Sequence, residues 1–462
     1  METLQYLVVF LITLGILVTV HEYGHFWVAR RCGVKVLRFS FGFGKPLFSW
    51  YGKDGTEYVI SPLPLGGYVK LLDDRAEPVP DDQYHLSLNA KPVTQRIAIY
   101  AAGPGINFLF AILALWLFYA MGVAGVKPVL GVIEADSPAA KAGLASEQII
   151  LAIDGYETKT AEAVQLRLLD RLGETGVIQF TVTDATIMTE MAEIQAKGEI
   201  KSIPIERWLK NEDEPRIFAA LGLDFYSLPF RLGEVREGGA GHRAGLQQGD
   251  QILAVDGKPV GSWGRWVQMI EASPERDMVV IIERAGREQT LILRPDLKIE
   301  ENGREIGFLN VRIDQNWQRW PEAYLVRYNV IESLGAAFKG TWDFIMFTFA
   351  SLKKMVVGEI STKNLGGPIA IAEVANTSFE IGIEAYLHLL AILSISLGVI
   401  NLLPIPILDG GHILFYLIEL VKGKPISEAN LHRSMAFGFA ILVGLMVFAF
   451  ANDICRAWGF CI

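Results

Sequence analysis

Two histidines and a glutamate lie in the motif H-E-Y-G-H at residues 21–25, directly after a run of apolar residues that begins near residue 4. On a helix, His21 and His25 share one face, so both imidazoles can bind the same zinc ion. Glu22 lies beside them and can accept a proton from a water molecule that the metal activates. An ionisable group at the centre of a bilayer costs about 2.5–3.5 kcal/mol on insertion scales, so it is rare there without a partner. The motif therefore predicts a metal site within a membrane helix. A chance match in a soluble helix is the alternative.

A third ligand is needed, because a catalytic zinc usually has three protein ligands and one position for water. The sequence NLLPIPILDGGH at residues 401–412 offers one. Its two prolines break a helix at the membrane edge and free backbone groups that only a protein-lined or wet site can satisfy. Asp409 then lies at the same depth as His21 and His25 and is the predicted third ligand. A simple cap after a proline kink is the alternative.

The composition is that of an integral membrane protein. Hydrophobic residues make up 51% of the 462 residues, and mean hydropathy is positive. Four stretches are long and apolar enough to span a bilayer, at residues 4–29, 97–121, 386–407 and 435–451. No basic region precedes the first stretch, which also carries the metal motif, so we expect a retained span and not a cleaved signal peptide.

The distribution of lysine and arginine predicts the orientation of the spans. Residues 30–96 contain ten basic and seven acidic side chains, and the loop at residues 409–433 contains three basic ones. The positive-inside rule places both segments in the cytoplasm, and therefore both termini and residues 121–384 outside. In that oxidising compartment Cys455 and Cys461 can pair or remain free. No basic stripe indicates nucleic-acid binding.

Residues 121–384 contain an internal duplication. The sequence at residues 131–155 matches that at residues 233–257 without a gap, at an offset of 102 positions. Such self-similarity predicts two copies of one folded unit. Each copy has a short helix that ends at a glycine, followed by a buried strand and an Asp-Gly turn.

The second copy carries the pattern AGLxxGDxILxVDG, which resembles the PDZ domain in the permuted form of bacterial envelope proteases. The first copy departs from it, with Glu147 and Gln148 in place of Gly-Asp. The stretch Leu221-Gly222-Leu223, ahead of the second copy, resembles the carboxylate-binding loop of that family. PDZ domains capture a peptide carboxyl terminus by adding a strand to a sheet edge. A steric spacer is the alternative.

The motif at 21–25, the NxxPxPxLDG motif at 401–410 and the tandem repeat between spans two and three together resemble the site-2 protease family of intramembrane zinc metalloproteases. The resemblance covers essentially the whole chain. It implies one zinc ion per chain, with these residues in the site: His21, His25 and Asp409 as ligands, Glu22 as catalytic base, and Asn401 holding the substrate or the developing oxyanion.

Two further segments gain a role from this resemblance. Asn107 ends a GPxxN element in span two that implies substrate contact, although close helix packing through small residues explains it equally well. Residues 57–72 alternate like strands interrupted by Gly66-Gly67, where the family has a re-entrant β-loop in the membrane. There Gly66, Gly67 and Tyr68 are expected to contact a substrate that unwinds and pairs with an edge strand.

The expected fold is therefore a polytopic α-helical membrane protein with four transmembrane helices and a re-entrant β-loop, carrying two tandem permuted PDZ domains of α+β class. The expected segments are span one at 1–30, the β-loop region at 31–96, span two at 97–121, the PDZ copies at 122–220 and 221–315, an amphipathic region at 316–384 with an interfacial helix at 341–352, span three at 385–409, a cytoplasmic loop at 410–434, span four at 435–452 and a tail at 453–462.

The resemblance implies an endopeptidase of the bacterial inner membrane, with its active site near the cytoplasmic side and its PDZ domains in the periplasm. Its expected partners are membrane lipid and single-span membrane proteins already trimmed on the periplasmic side, among them an anti-sigma factor of an envelope stress response and remnant signal peptides. The PDZ pair is expected to act as a size filter. A metal transporter and a catalytically inactive PDZ scaffold are the alternatives.

Overall fold

The computed structural model describes residues 2–75, 77–125, 127–131, 133–184, 198–212, 215–223, 225, 230–260, 263–299, 304–314, 324–326, 328–364 and 366–458. The chain forms two compact units. The first, termed the helical unit, comprises Met1–Met121, Arg327–Leu352 and Leu365–Ile462. The second, termed the repeat unit, comprises Gly122–Val326 and Lys353–Asn364. Cys461 and the side chain of Cys455 lie outside the described residues, so their pairing stays a prediction.

The helices are α1 Glu2–Arg31, α2 Val93–Met121, α3 Pro138–Lys141, α4 Ala161–Leu169, α5 Ile217–Leu221, α6 Ala240–Arg243, α7 Trp263–Glu271, α8 Val330–Val356, α9 Pro368–Ile381, α10 Ile383–Asn401, α11 Asp409–Lys422 and α12 Glu428–Trp458. The strands are β1 Val36–Phe43, β2 Phe48–Tyr51, β3 Glu57–Ile60, β4 Leu63–Leu71, β5 Val123–Gly125, β6 Gln148–Ile153, β7 Tyr156–Glu157, β8 Gly176–Asp184, β9 Glu199–Ile205, β10 Leu232–Val235, β11 Gln251–Val255, β12 Lys258–Pro259, β13 Met278–Arg284, β14 Arg287–Leu293, β15 Asp296–Ile299, β16 Glu305–Phe308, β17 Val311–Ile313 and β18 Tyr324–Val326.

Four helices among the described residues are long and apolar enough to cross a membrane: α1, α2, α10 and α12. This agrees with the four predicted spans, but span three is shorter than predicted. Helix α10 ends at Asn401, and residues 402–408 are irregular. The reason is that Pro404 and Pro406 lack the N–H that would continue the helix. Asp409 consequently begins the separate helix α11, and most of the segment predicted as a cytoplasmic loop is helical.

The region after the repeat contains two helices. The interfacial helix predicted at residues 341–352 is only part of α8, which has 27 residues. The helix is long because no proline interrupts it. The first glycine after its start that has a left-handed backbone conformation is Gly358, just beyond its end. One side of α8 buries Ala337 and Thr341, whereas Ile331 and Trp342 are exposed. The helix is therefore more than twice as long as predicted and packs along one side only, and its place at the membrane interface stays a prediction.

A four-stranded sheet follows α1 in the helical unit, with the strand order β2-β3-β1-β4. Strand β4 lies at one edge and is antiparallel to β1. Gly66 and Gly67 lie inside β4, and the register of its pairing with β1 shifts beside them, between the pairs Phe41–Gly67 and Phe43–Leu63. A side chain at Gly67 would place its Cβ 2.6 Å from the carbonyl oxygen of Ser40. Glycine thus allows β4 to approach β1 closely beside this shift in register.

The repeat unit contains two four-stranded sheets with corresponding strand orders, β7-β6-β8-β9 and β12-β11-β13-β14. Each sheet has its own buried apolar core. Leu221, Leu223 and Phe225 belong to the core of the first copy, and Phe225 bridges to Leu130. The first copy therefore extends beyond the predicted boundary at residue 221, and the role of Gly222 and Leu223 as a ligand loop stays a prediction. The side chains of Leu221, Leu223 and Phe225 are buried in the same apolar core as those of the first sheet.

Candidate metal centre

The predicted ligands, which are remote in sequence, meet in the helical unit. The Nε2 atoms of His21 and His25 lie 3.2 Å apart on one face of α1. The Oδ2 atom of Asp409 lies 3.2 Å from Nε2 of His21 and 3.4 Å from Nε2 of His25. The ligand atoms of these three residues all lie within 4.8 Å of one another, and both histidines and the carboxylate are shielded from solvent. The site therefore has two imidazoles and one carboxylate.

Glycines in α1 and α2 create the space for this cluster. A Cβ at Gly24 would lie 2.3 Å from the carbonyl oxygen of Ala102, so the two helices touch at this point. A Cβ at Gly103 would lie 2.3 Å from Nε2 of His25 and 2.7 Å from Cε1 of His21. Any larger residue at position 103 would fill the space between the imidazoles. Small residues of the GPxxN element thus form one wall of the site.

Helix α2 also determines which nitrogen of each imidazole faces the cluster. Nδ1 of His25 lies 2.8 Å from the carbonyl oxygen of Ile99, so it carries a proton and donates it to that oxygen. The Nε2 atom of a neutral His25 is then unprotonated and presents its lone pair to Asp409 and His21. This arrangement is the one that a metal-binding histidine requires.

Asn107 orients the imidazole of His21 as the Ile99 carbonyl orients that of His25. Its side chain is fully buried and lies 3.1 Å from Nδ1 of His21, and its hydroxyl neighbour Ser394 donates to its backbone oxygen. This burial agrees with the alternative of close helix packing, and the expected contact of Asn107 with substrate stays a prediction. Its Oδ1 has no hydrogen-bond partner among the described residues. With the amide turned by 180°, Oδ1 of Asn107 accepts a hydrogen bond from the protonated Nδ1 of His21, which leaves Nε2 of His21 unprotonated.

The residues present fit a zinc ion. Oδ2 of Asp409 is buried and accepts no hydrogen bond among the described residues, although two ring nitrogens lie within 3.4 Å. A buried carboxylate without a hydrogen bond is unfavourable unless a cation neutralises it. Two imidazole nitrogens and one carboxylate oxygen are a common ligand set of catalytic zinc, which leaves one position open.

Two glycines that sequence reasoning left without a role position Asp409. Asp409 is the first residue of α11, and Gly410 and Gly411 follow it. A Cβ at Gly410 would lie 2.3 Å from the carbonyl oxygen of Leu402, and one at Gly411 would lie 2.4 Å from that of Ile405. The first turn of α11 therefore packs against the irregular segment that precedes it. The DGG sequence, three positions after the second of two prolines, is the sequence signal for this tight turn.

The remaining predicted residues lie near the cluster to different degrees. A Cβ at Gly67 would lie 3.6 Å from Cγ of Glu22, so the edge strand β4 adjoins the predicted base. The hydroxyl of Tyr68 accepts a hydrogen bond from Arg38. Asn401 is the last residue of α10 and is half-buried. Of the two histidines without an assigned role, His412 stacks on Tyr100 and His388 stacks on Phe118.

The family profile of peptidase family M50 matches residues 9–445. The chain is 42% identical over 453 residues to a putative zinc metalloprotease of Vibrio cholerae, which covers 97% of this chain and 98% of that protein. It is 42% identical over 451 residues to the regulator of sigma-E protease RseP of Escherichia coli, with coverage of 97% and 98%. It is 41% identical over 461 residues to the protease RseP of Yersinia pestis, with coverage of 99% and 100%.

These similarities and the site define a membrane-embedded zinc metalloprotease. The chain belongs to peptidase family M50, and the resemblance to site-2 proteases is confirmed. It is a multi-pass protein of the inner membrane whose cofactor is zinc.

Proposed function

We propose that this protease cleaves single-span membrane proteins within the bilayer, at a zinc ion held by His21, His25 and Asp409. The observation that supports this most directly is the convergence of three donor atoms from α1 and α11 within 4.8 Å. The positive-inside rule supports an orientation with the repeat unit and both termini in the periplasm and the site near the cytoplasmic side.

Zinc, when bound, polarises the scissile carbonyl and makes the attacking water more acidic. Glu22 takes a proton from that water and delivers it to the leaving nitrogen. Its place supports this role, since it follows His21 directly and adjoins β4. Asn107 and the carbonyl oxygen of Ile99 hold the two imidazoles so that both Nε2 atoms stay unprotonated. Asn401, at the end of α10, is proposed to hold the substrate carbonyl or its developing negative charge.

The substrate is proposed to bind as a strand beside β4. Peptide hydrolysis needs an extended backbone, so a substrate helix has to unwind, and its freed N–H and C=O groups then need partners within the membrane. The outer side of β4 pairs with no strand among the residues described. Gly67 lies at the level of Glu22, and Gly66, Gly67 and Tyr68 are proposed to contact the added strand. Strand addition at this edge therefore supplies hydrogen bonds and brings the scissile bond to the metal.

The repeat unit is proposed to consist of two tandem PDZ domains that act as a size filter. The relatives named regulators of sigma-E protease suggest an anti-sigma factor as a substrate, already trimmed in the periplasm, with remnant signal peptides as a second class. Bulk, and not affinity for a tail, would then exclude untrimmed proteins. Deletion of residues 127–310 should permit cleavage of an untrimmed substrate while cleavage of a trimmed one continues. If untrimmed substrate stays intact under these conditions, the filter is wrong.

Glu22→Gln separates a protease from a metal transporter or an inactive scaffold. Since Glu22 is not a proposed ligand, the purified variant should retain about one zinc ion per chain but cleave no model substrate. Asp409→Ala should lose zinc and activity together. Zinc transport into vesicles by the Glu22→Gln protein would support the transporter. Cleavage by wild type that a zinc chelator leaves unchanged would exclude the zinc mechanism.

A further inference from the structure

Helix α11, which carries Asp409 at its start, is held mainly on one side. Its residues Gly410, Gly411 and Tyr416 are buried, whereas Leu420 and Val421 on other faces are exposed. The segment before it contains two prolines and Ile407 with a φ of 101°. That backbone conformation is unfavourable for a β-branched residue, so contacts elsewhere have to stabilise it. The position of Asp409 therefore depends on how α11 docks against its neighbour as well as on the tight turn at Gly410 and Gly411.

That neighbour is α2, and a buried ion pair joins the two helices. Nη2 and Nη1 of Arg96 donate to the two carboxylate oxygens of Glu419 at 2.7 and 3.1 Å. Only 6% of the Arg96 side chain and 14% of the Glu419 side chain are exposed. Nε of Arg96 donates to the carbonyl oxygen of Lys91 at 3.1 Å, so the guanidinium is held on both sides. Two parallel hydrogen bonds restrict position and orientation more than a single charge contact does.

Aromatic contacts extend this ion pair towards the metal centre. The Arg96 guanidinium lies 4.7 Å from the centre of the Tyr416 ring. Tyr100, one helical turn further along α2, stacks on His412 with ring centres 4.4 Å apart. The next turn of α2 contains Gly103, which adjoins both imidazoles. One face of α2 thus contacts α11 from its end to its beginning, and the same face borders His21 and His25.

We propose that the Arg96–Glu419 ion pair is a positioning clamp, which fixes α11 on α2 so that Asp409 meets the two imidazoles. Neither residue contacts the proposed metal. Their effect passes along α11, which is one rigid helix from Asp409 to Glu419. This inference rests on the proposed zinc site. It implies that the affinity for zinc depends on an ion pair ten residues away from the ligand.

The test measures the zinc dissociation constant of the purified full-length protein by competition with a chelator. All variants carry Glu22→Gln, so that the readout is metal binding and not activity. Arg96→Met and Glu419→Gln should each weaken zinc binding by about tenfold or more, the lower range seen when groups that support metal ligands are removed. The exchange Arg96→Glu with Glu419→Arg restores a bidentate pair at the same place and should recover most of the affinity.

Asp453→Asn is the matched control. Asp453 is also buried and joins two helices of the same unit, since it accepts the backbone N–H groups of Gly367 and Ile369 at 2.8 Å. Its loss should lower the unfolding temperature but leave zinc affinity within twofold of the parent. The unfolding temperature of each zinc-free protein is also measured. A variant that loses zinc affinity without a lower unfolding temperature has a displaced ligand and not a folding defect.

The clamp is overturned if Arg96→Met binds zinc like the parent, or if the charge exchange folds but does not recover affinity. It is also overturned if Asp453→Asn weakens zinc binding as much as Arg96→Met does, because general destabilisation then explains both. If the Glu22→Gln parent binds no zinc, the proposed function itself fails. If the parent binds zinc and the Arg96 and Glu419 variants bind it with the same affinity, only the clamp fails.

Discussion

The two copies of the repeat unit contain the same loop built from different residues. In the second copy, Oδ2 of Asp250 accepts the backbone N–H of Gln247 at 2.8 Å. In the first copy, 102 positions earlier, Oε1 of Gln148 accepts the N–H of Ala145 at 3.0 Å. Gly249 has a φ of 87°, and its counterpart Glu147 keeps a φ of 67° although it is not glycine. The departure of the first copy from the Gly-Asp pattern therefore changes the side chains but preserves the loop.

A second pair of positions shows compensation between the copies. Glu134 donates its N–H to the carbonyl oxygen of Gly222, and Arg236 donates in the same way to Asn310, both at 3.1 Å, so Gly222 and Asn310 correspond. In the first copy the facing residue is Ser137, and a Cβ at Gly222 would lie 2.2 Å from its Cβ.

In the second copy the facing residue is Gly239, and a Cβ there would lie 2.7 Å from that of Asn310. Each copy thus has room for one side chain at this contact, but on opposite partners. Ser137 uses that room to cap α3, whereas α6 begins at Gly239 without a side-chain cap. The comparison teaches that shape at the contact, and not the residue type at either position, is what the two copies share.

The largest expected effect distinguishes the two loop residues. Asp250 is fully buried and also receives two hydrogen bonds from Arg284, each at 2.7 Å. Asp250→Ala should destabilise the second copy by about 3 kcal/mol, because it leaves the arginine without its partner. Gln148→Ala, the matched change, should cost the first copy about 1 kcal/mol for one lost hydrogen bond. Hydrogen exchange of β11 and β6 in the full-length protein measures both, and equal losses would contradict the comparison.

Compensation predicts the next largest effect. Gly239→Ser should destabilise the second copy by about 2 kcal/mol, because its Cβ overpacks against Asn310. Addition of Asn310→Gly should recover most of this loss, since the φ of 61° at position 310 suits glycine. A double-mutant cycle followed by hydrogen exchange of β10 and β17 measures the coupling. Additive changes would mean that the two positions do not share one space.

Backbone strain predicts a smaller effect. Gly249→Glu should destabilise the second copy by about 1 kcal/mol, because a Cβ at this site meets no atom within 4 Å and only the left-handed conformation opposes it. The protection of β11 against hydrogen exchange is the measurement. A loss well above this size would indicate that the loop of the second copy tolerates less than that of the first.

The smallest effect is the reverse change in the first copy. Glu147→Gly should stabilise it by about 0.5 kcal/mol, since relief of the left-handed conformation is partly offset by the greater freedom of glycine in the unfolded chain. The slowest-exchanging amides of β6 and β8 report the gain. Destabilisation would show that the Glu147 side chain contributes a contact of its own.

The chemistry-bearing residues and the spans could be predicted because both depend on local patterns. The spacing of His21 and His25 on a helix, the length of the apolar runs and the offset of the repeat are all properties of short stretches of chain. Pro404 and Pro406 likewise predicted a break, because the missing N–H prevents a helical hydrogen bond whatever the tertiary surroundings are. Family resemblance then supplied the role of Asp409, which spacing alone left open between a ligand and a cap.

Long-range packing decided the rest. The start of α11 at Asp409, the burial of Asn107 against His21 and the docking of Arg96 on Glu419 each join residues that are remote in sequence. The burial of Leu221, Leu223 and Phe225 in the first core likewise depends on long-range packing, because an apolar stretch between two similar sheets has no local feature that selects one of them. Sequence by itself determined which groups could bind a metal and which segments cross the membrane. Only the tertiary structure decided which groups face one another, because burial and hydrogen bonding are satisfied by neighbours that the chain brings together when it folds.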